Sequence, residues 1–227
     1  MSSTKIQHLA IIMDGNRRWA RAQGLPPLEG HRVGYHKVSE VLGWCQEAGI
    51  KTLTLYAFST ENWKRSEEEV KWLMDLIKLL FTKDAKELHQ KNVRVKVLGK
   101  KEGLNPTLQQ AIKEAEELTA NNTDFNLNLA INYGGRQELV DAFNKILKNP
   151  PAEVTEKIIE ENLYSVGQLD PDLIIRTSGE LRTSGFLLWQ GAYSELYFCQ
   201  HNWPEFSRED FNEALENFAE RQRRFGQ

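Results

Sequence analysis

One segment of the chain repeats the same four residues six positions apart, and their types suit the binding of phosphate. It reads Arg176-Thr-Ser-Gly-Glu-Leu-Arg-Thr-Ser-Gly185, so each copy offers a guanidinium, two hydroxyls and a glycine. Arginine presents a planar fork of donors that matches phosphate oxygens, and each charge-assisted hydrogen bond contributes about 1.5–3 kcal/mol. Glycine lets backbone N–H groups approach a bulky anion. The alternative interpretation is a polar loop whose arginines face only solvent.

Polar loops of this kind follow three separate apolar runs. In a parallel sheet the carboxyl ends of the strands lie at one edge, which is where open α/β folds bind ligands. We therefore expect the three loops to converge on one site. The apolar runs and the loops that follow them are Leu9-Ala-Ile-Ile-Met13 with Asp14-Gly-Asn-Arg-Arg-Trp-Ala20, Leu53-Thr-Leu-Tyr-Ala-Phe58 with Ser59-Thr-Glu-Asn-Trp-Lys-Arg65, and Asp172-Leu-Ile-Ile175 with the repeat.

An acidic residue, Asp14, stands at the start of the first loop, directly before a glycine, Asn16 and the pair Arg17 and Arg18. The N-terminus of a helix favours an anion by about 0.3–1 kcal/mol, and arginines add full charges. A carboxylate beside a bound phosphate is repulsive unless a Mg²⁺ ion bridges the two. The loop therefore predicts a site for a phosphate and Mg²⁺. The alternative is that Asp14 only caps the helix or closes an Asp-Gly turn.

The elements that must position these residues alternate along the chain between strand-like and helix-like patterns. This alternation predicts the α/β class, with a largely parallel central sheet flanked by helices, and residues 1–227 are predicted to form a single domain. Strands are expected at residues 9–13, 50–58, 93–98, 125–131, 173–175 and 196–198. Helices are expected at residues 31–48, 66–89, 136–147 and 155–163, after Asn105-Pro106, and from Ser207 toward Arg224.

The predicted helix over residues 66–89 carries two apolar stripes, whereas a surface helix needs only one. Ser66 and Glu69 have the spacing of a capping box at its start. A second stripe indicates contact with the sheet on one side and with a cavity wall, a dimer interface or simply a deep core on the other. The first stripe is Val70, Leu73, Met74, Ile77, Leu80, Phe81 and Leu88, and the second is Trp72, Leu76 and Leu79.

Composition limits the function classes. The net charge of −3 over 227 residues argues against nucleic acid as a partner. No apolar run approaches the roughly 18 residues of a membrane span, and no signal peptide is evident. Cys45 and Cys199 are the only cysteines and stand in apolar company, which indicates reduced thiols in a cytoplasmic protein. The phosphate-loop, dinucleotide-binding and H-E-x-x-H motifs are absent from the sequence.

From about His8 to its C-terminus the chain resembles the cis-prenyltransferases of the undecaprenyl diphosphate synthase family. The resemblance implies a Mg²⁺-dependent condensation of isopentenyl diphosphate with an allylic diphosphate, farnesyl diphosphate above all, that creates a Z double bond. The product implied is a polyprenyl diphosphate, the undecaprenyl carrier of the cell wall, with a short-chain Z-prenyl diphosphate as the alternative. The matching stretches are 8–20, Gly30-His31, Leu55–Trp63, Asn132-Tyr-Gly-Gly-Arg136, Ile175–Glu180, Phe186-Leu-Leu-Trp-Gln190 and Glu195-Leu-Tyr-Phe198.

The resemblance also implies roles for individual residues. Asp14 holds Mg²⁺ and is essential for catalysis, Glu195 is a second metal ligand, and Asn62 is the proton acceptor, although an amide is a weak base. The implied substrate contacts are Gly15, Asn16, Arg17, Arg18, Trp19 and His31, then Ser59, Thr60, Glu61, Trp63 and Arg65, and, for isopentenyl diphosphate, Arg176, Arg182, Thr183 and Ser184. Arg224 and Gly226 match an R-x-G that reaches across a homodimer.

A long product cannot be fully enclosed. Burying one five-carbon unit is worth about 4 kcal/mol, and many units would exceed the practical ceiling of about 20 kcal/mol for non-covalent affinity. The product must therefore be partly enclosed or pass into a bilayer, which predicts transient peripheral membrane contact. The second stripe of helix 66–89 is the predicted tunnel wall.

The sequence departs from the family pattern at four places, which leaves product length open. Arg17 replaces a glycine, Pro27 an arginine, Leu181 a histidine, and Gly185 an asparagine. Two interpretations from other classes stay open. One is a non-catalytic partner subunit, against which the intact Asp14 argues. The other is a single-strand nucleic-acid binder that uses arginines with Trp19 and Trp63, which the acidic net charge disfavours.

Overall fold

The computed structural model describes residues 6–221, and its strands form one six-stranded sheet in which neighbouring strands are parallel. This confirms the predicted α/β class. The order across the sheet is β3-β4-β2-β1-β5-β6. The strands are β1 (His8–Ile12), β2 (Thr52–Ser59), β3 (Val93–Leu98), β4 (Phe125–Tyr133), β5 (Leu173–Arg176) and β6 (Glu195–Phe198).

Helices cover both faces of the sheet, which is why its central strands are apolar along their whole length. All five residues of β1 are buried. Leu9 and Ile11 point into the larger hydrophobic core, while Ala10 and Ile12 point into a smaller core on the opposite face. A strand buried on both sides needs apolar residues at consecutive positions, as parallel sheets require.

The helices lie close to their predicted places. Asn105 caps α5, since its side chain accepts the Leu108 N–H at 2.8 Å, and Ser207 with Asp210 forms a capping box at α8. The helices are α1 (Asn16–Ala22), α2 (Pro27–Glu47), α3 (Glu67–Leu79), α4 (Ala85–Gln90), α5 (Pro106–Thr119), α6 (Gly135–Ile146), α7 (Glu156–Glu160) and α8 (Arg208–Glu220). Short 3₁₀ turns occupy Thr60–Lys64 and Trp203–Glu205.

Three helix predictions were wrong at their boundaries. Helix α7 ends at Glu160 instead of residue 163. Helix α2 begins at Pro27 instead of residue 31, because proline is well tolerated in the first helical turn, where its missing N–H costs nothing. The predicted helix over 66–89 is interrupted by a π-helical turn at Leu80–Asp84, which separates α3 from α4. The apolar period continues through this wider turn, so the pattern alone does not reveal it.

Cys45 and Cys199 are both buried free thiols. None of the helices between residues 6 and 221 has the length and apolar character needed to cross a bilayer.

The register of the sheet brings the predicted loops together. Ile12 lies level with Tyr56 of β2 and with Arg176 of β5, so the loops after β1, β2 and β5 leave the sheet at the same edge. The carboxyl end of β4 reaches this edge as well, because Tyr133 pairs with Ser59. The convergence expected from the sequence is therefore present.

Candidate active site

A cavity of about 890 Å³ opens at this edge, between the sheet and helices α2 and α3. Its mouth is polar, and its interior becomes apolar further back along the strands. The polar lining residues are Asp14, Asn16, His31, Ser59, Thr60, Glu61, Asn62, Arg65, Arg136, Gln137, Arg176, Arg182 and Ser184. The apolar lining includes Val38, Leu55, Leu73, Leu76, Ile77, Leu80, Leu129 and Ile131.

Asp14 is the centre of the polar mouth. Its Oδ2 accepts from Arg176 Nη2 at 2.8 Å and lies 3.1 Å from Arg18 Nη2, while its Oδ1 accepts the Gly15 N–H at 2.7 Å. Its own N–H donates to the Thr177 hydroxyl at 2.9 Å, so the two loops are joined through backbone and side chain alike. Asp14 does not cap α1, because the N-cap residue is Gly15 and makes no side-chain capping bond.

The environment of Asp14 keeps its carboxylate ionised. Partial burial would raise its pKa, but the hydrogen bond and charge of Arg176, with the charge of Arg18 and the Gly15 N–H, outweigh burial and hold the pKa below its ordinary value. Asp14 is therefore ionised at neutral pH, which is the form in which a carboxylate binds a hard cation.

Gly15 permits the tight turn between β1 and α1. Its φ of 97° lies in the left-handed region, and an added Cβ would stand 2.3 Å from Asn202 Oδ1. Both the backbone angle and the contact require glycine here. The turn therefore fixes the direction in which Asp14 and Asn16 face the cavity.

Arg176 is buried, with a side chain 6% exposed. Besides Asp14, it donates to the Arg182 carbonyl at 2.6 Å and to Ser184 Oγ at 2.8 Å. Among the side chains of residues 6–221, several buried polar atoms have no hydrogen-bond partner, and Arg176 Nε, Asn16 Oδ1 and His31 Nε2 belong to residues that line this cavity. Buried polar atoms are rarely unsatisfied, so this grouping points to a polar ligand.

Glu69 organises the other side of the mouth, whereas its spacing from Ser66 predicted only a helix cap. Its N–H does donate to Ser66 Oγ at 3.3 Å. Its carboxylate, however, contacts Arg65 at 2.9 Å, Arg17 at 3.5 Å and His31 at 3.7 Å. Arg65 is a local partner four residues earlier, but Arg17 and His31 come from separate segments, so the local spacing of Glu69 does not reveal that it joins them.

The ion pairs of the mouth form two groups with an excess of positive charge. In each group, two arginines share one carboxylate. Glu180 contacts Arg18 at 2.9 Å and also pairs with Arg182. Glu69 is shared in the same way by Arg17 and Arg65. Within residues 6–221, five arginines and three carboxylates take part, which leaves two positive charges available to an anionic ligand. The arginines are Arg17, Arg18, Arg65, Arg176 and Arg182, and the carboxylates are Asp14, Glu69 and Glu180.

His31 is neutral at physiological pH. Burial, followed by the charges of Arg65 and Arg17, lowers its pKa from 6.5 to about 4 against the opposing effect of Glu69. The unfolded chain takes up this proton below pH about 6.5, whereas the folded chain does not until about 4. Stability from this group is therefore complete above the unfolded value and is lost as the pH falls through that window.

We expect His31→Gln to reduce the acid sensitivity of folding. Without the titrating ring, the free energy of unfolding should fall less steeply between pH about 6.5 and 4, with a difference of about 3 kcal/mol at the lower end. Urea unfolding across this range measures it. Burial also lowers the pKa of His8 to about 4, but this residue contributes equally to the pH dependence of wild type and of His31→Gln. The control is His36→Gln, on the exposed surface of α2. If the unfolding free energy of His31→Gln depended on pH as steeply as that of wild type, His31 would not be the buried neutral histidine assigned here.

The loop after β2 lines the cavity, but one of its predicted roles has a competing structural explanation. Asn62 Oδ1 accepts the Ser59 N–H at 3.0 Å, and the two residues form a capping box for the 3₁₀ turn. Trp63 lies outside the cavity lining and donates to Asn132 Oδ1 at 2.7 Å. Among residues 6–221, the other predicted contacts outside the lining are Gly15, Arg17, Arg18, Trp19 and Thr183.

Glu195 is not brought to Asp14 within the chain. It begins β6 and pairs with Leu173, so it lies about 10 Å down the sheet from the level of Arg176. Its carboxylate accepts from Arg221 at 2.6 Å. The two predicted metal ligands are thus at opposite edges of the sheet, because a carboxylate at the start of a parallel strand cannot reach the carboxyl edge. Arg224 and Gly226 lie outside the described residues.

A fourth strand end contributes residues to which the sequence assigned no individual role. Gly134, Gly135 and Arg136 follow β4 and line the cavity. The Gly135 N–H donates to the Gly185 carbonyl at 2.9 Å, and a Cβ at Gly135 would stand 2.5 Å from that oxygen. The rule that polar loops follow apolar strands applies to this loop too and could have identified it.

The apolar wall is formed by a different face of α3 from the one predicted. Leu73, Ile77 and Leu80, all from the first stripe, line the cavity together with Leu76. Of the rest of the second stripe, Trp72 packs against the core outside the lining, and Leu79 is 42% exposed. The prediction was therefore right for the helix and for Leu76 but wrong for most of the stripe.

Comparison with known proteins shows which family the chain belongs to. The family model described as "Putative undecaprenyl diphosphate synthase" matches residues 12–226. An isoprenyl transferase of Thermotoga maritima is 49% identical, covering 97% of this chain and 96% of that protein. A tritrans,polycis-undecaprenyl-diphosphate synthase (geranylgeranyl-diphosphate specific) of Thermococcus kodakarensis is 47% identical over 97% and 86%. The crystal structure of lavandulyl diphosphate synthase from Lavandula x intermedia with dimethylallyl diphosphate has a TM-score of 0.94 at 36% identity, covering 98% and 99%.

Proposed function

Because the chain belongs to the undecaprenyl diphosphate synthase family of prenyltransferases, we propose that it condenses isopentenyl diphosphate with farnesyl diphosphate and extends the product in the Z configuration. The proposed end product is the undecaprenyl diphosphate carrier. A short-chain Z-prenyl diphosphate is the second candidate, favoured by the likeness to lavandulyl diphosphate synthase.

The observation that carries the proposal is the union of two environments in one cavity. Its mouth has an excess of arginine charge, and its interior is lined by aliphatic side chains of α2, α3 and the sheet. A prenyl diphosphate has the same division, with a charged head and an apolar tail. Each five-carbon unit that enters the interior contributes about 4 kcal/mol, so the cavity favours retention of the growing tail.

The arginines have distinct tasks in this scheme. Arg17 and Arg18, with Asn16 and neutral His31, would hold the allylic diphosphate at the first loop. As its C–O bond breaks, charge accumulates on the leaving diphosphate, and fixed donors stabilise that charge. Arg176, Arg182 and Ser184 would hold the second diphosphate, and this fixes the isopentenyl double bond close to the carbon that is attacked.

The donor set of the mouth fits Mg²⁺. Asp14 supplies one ionised carboxylate, and Mg²⁺ is usually held by one or two carboxylates together with substrate phosphate oxygens and water. When bound, the ion would neutralise diphosphate charge. Glu195 is too distant to join Asp14 in the same chain. For Asn62 we propose that it orients the Ser59 turn instead of accepting the proton, because its oxygen is already engaged.

A homodimer and membrane contact complete the proposal. Helix α6 exposes Val140 and Phe143, and Leu147 follows directly at its end, at 51%, 46% and 71%. An apolar stripe of this spacing suits the burial of a helix against a second copy of the chain. A product too long for the cavity would leave toward a bilayer, so we propose that release takes place at the membrane surface.

The proposed function is tested by incubating the protein with labelled isopentenyl diphosphate, Mg²⁺ and one allylic starter at a time. Dimethylallyl, farnesyl and geranylgeranyl diphosphates are the starters, and the dephosphorylated products are sized by thin-layer chromatography. We expect incorporation to be fastest with farnesyl diphosphate and to give a long product. Short products would establish the second candidate, and no incorporation with any starter would reject both.

Product length should depend on Leu76. Replacing it with alanine removes three carbons from the cavity wall, and we expect the product distribution to shift toward longer chains because the growing tail gains room. Leu79→Ala is the matched control, since Leu79 lies on the same helix, is exposed and is outside the lining, and its truncation removes the same three carbons. Sizing of the products from both variants under identical conditions is the measurement. An unchanged distribution for Leu76→Ala would remove α3 as the limiting wall.

A further inference from the structure

A second cluster of chemically competent side chains lies outside the cavity, where β6 ends and α8 begins. Cys199, His201 and Asp210 each offer one ligand atom, and these atoms lie within 4.8 Å of one another. Thiolate, imidazole and carboxylate are all zinc ligands. We propose that these three residues bind Zn²⁺ or a similar soft divalent ion. This site is separate from the proposed prenyl transfer and from Asp14.

Two of the three ligands are buried and fixed in place. The Cys199 N–H donates to the Arg176 carbonyl at 2.8 Å, and its own carbonyl accepts the Gly179 N–H at 2.8 Å. Asp210 Oδ2 accepts the Ser207 N–H at 2.9 Å in the capping box of α8. Ligands held by such bonds lose little freedom when a metal binds, which favours affinity.

The third ligand is exposed, so its side chain has room to rotate and complete the geometry. The His201 side chain is 62% exposed, and its Nδ1 lies 2.9 Å from Asp210 Oδ1. Ligand atoms around one tetrahedral zinc ion are about 3.5 Å apart, given bond lengths of about 2.0–2.3 Å. The ligand atoms lie no more than 4.8 Å apart, and the Nδ1–Oδ1 distance of 2.9 Å is shorter than this value, so a rotation of the exposed His201 side chain suffices to reach coordinating positions. Its exposure leaves a path for entry and a fourth position for water.

The cluster is placed directly behind the candidate active site. The Ser178 N–H donates to the His201 carbonyl at 2.7 Å, so the segment that carries two of the ligands also supports the turn after Arg176. A bound ion would join this segment to α8 and stabilise both. We therefore expect Zn²⁺ to raise the Tm of the protein, since a ligand that binds only the folded state stabilises it.

Cobalt titration tests the site with a readout that does not depend on activity. Co²⁺ is added to the reduced protein, without a histidine tag and with excess Mg²⁺ present. We expect a thiolate-to-cobalt charge-transfer band and the strong visible bands of tetrahedral Co²⁺, saturating at one ion per chain and lost on addition of Zn²⁺. Binding at Asp14 cannot produce this band, because that site has no sulfur. Failure of the metal site and failure of the prenyltransferase assignment are thus distinguishable.

Variants identify the ligands. Cys199→Ser should abolish the charge-transfer band, and His201→Ala should weaken binding by at least about 100-fold, as loss of a direct ligand exceeds the 10–100-fold cost of losing its supports. His201→Ala changes an exposed side chain, so folding is not in question. His89→Ala, another exposed histidine at the end of α4, is the matched control. Cobalt binding without the band, a band that survives Cys199→Ser, or equal affinities for the two histidine variants would each overturn the proposal.

Discussion

Replacing Asp14 with asparagine should lower turnover by about a thousandfold while the chain still folds. The substitution keeps the size of the side chain but removes the charge that faces Arg176 at 2.8 Å and Arg18 at 3.1 Å. Removing one group that stabilises charge in a transition state commonly costs about 10²–10³ in kcat. Here the proposed protein ligand of Mg²⁺ is lost as well. Incorporation of labelled isopentenyl diphosphate at several Mg²⁺ concentrations is the measurement.

The matched control is Asp124→Asn, which neutralises an exposed carboxylate just before β4, at the opposite edge of the sheet. It should leave the rate unchanged. Circular dichroism and Tm must show that Asp14→Asn is folded, since the amide oxygen of the introduced side chain can still accept from Arg176 or from the Gly15 N–H. Normal incorporation by folded Asp14→Asn would refute the assignment of the active site.

The positions of the strands could be predicted from the sequence because buried parallel strands consist of consecutive apolar residues. Residues 93–98 were predicted as a strand with the observed bounds. The prediction for β1, residues 9–13, began and ended one residue later than the observed strand. The break at Leu80–Asp84 was missed for a physical reason. A π turn adds one residue to a helical turn without changing which residue types are apolar, so only packing against the core reveals it.

The site was predictable only as far as strand ends determine it. That Asp14 and Arg176 share an edge follows from a parallel sheet, but their contact depends on β1 pairing with β5 so that Ile12 is level with Arg176. This register joins segments more than 160 residues apart and has no local signature. Glu69 and Glu195 illustrate the same limit. Glu69 gains Arg17 and His31 as partners through tertiary packing, and Glu195 is placed at the far edge by its register.

The excess of arginine charge explains why the mouth is prepared for an anion before one arrives. Arg18, Arg65 and Arg176 are each held by a carboxylate or carbonyl, so little side-chain entropy remains to be lost on binding. The carboxylates keep the arginines in place without cancelling them. Arg176 is the most constrained of the group, being buried and bonded to two loops. Its loss should therefore have the second large effect.

Replacing Arg176 with glutamine should reduce kcat/KM for isopentenyl diphosphate by on the order of a thousandfold. The charged hydrogen bonds to the diphosphate, each about 1.5–3 kcal/mol, are lost. The guanidinium bonds to the Arg182 carbonyl and Ser184, which order the loop, are lost as well. Arg176→Lys should be intermediate, because lysine keeps the charge but not the planar geometry. Initial rates at varied isopentenyl diphosphate separate KM from kcat, and we expect most of the loss in KM.

A stability measurement separates this role from simple misfolding. Arg176→Gln leaves the Asp14 carboxylate with Arg18 as its remaining ion-pair partner among the described residues, so Tm should fall, and adding Asp14→Asn should restore part of it because the unbalanced charge is removed. Activity should stay low in the double variant. Arg94→Gln, on the exposed side of β3, is the control that should change neither quantity. A wild-type KM in Arg176→Gln would show that the second diphosphate binds elsewhere.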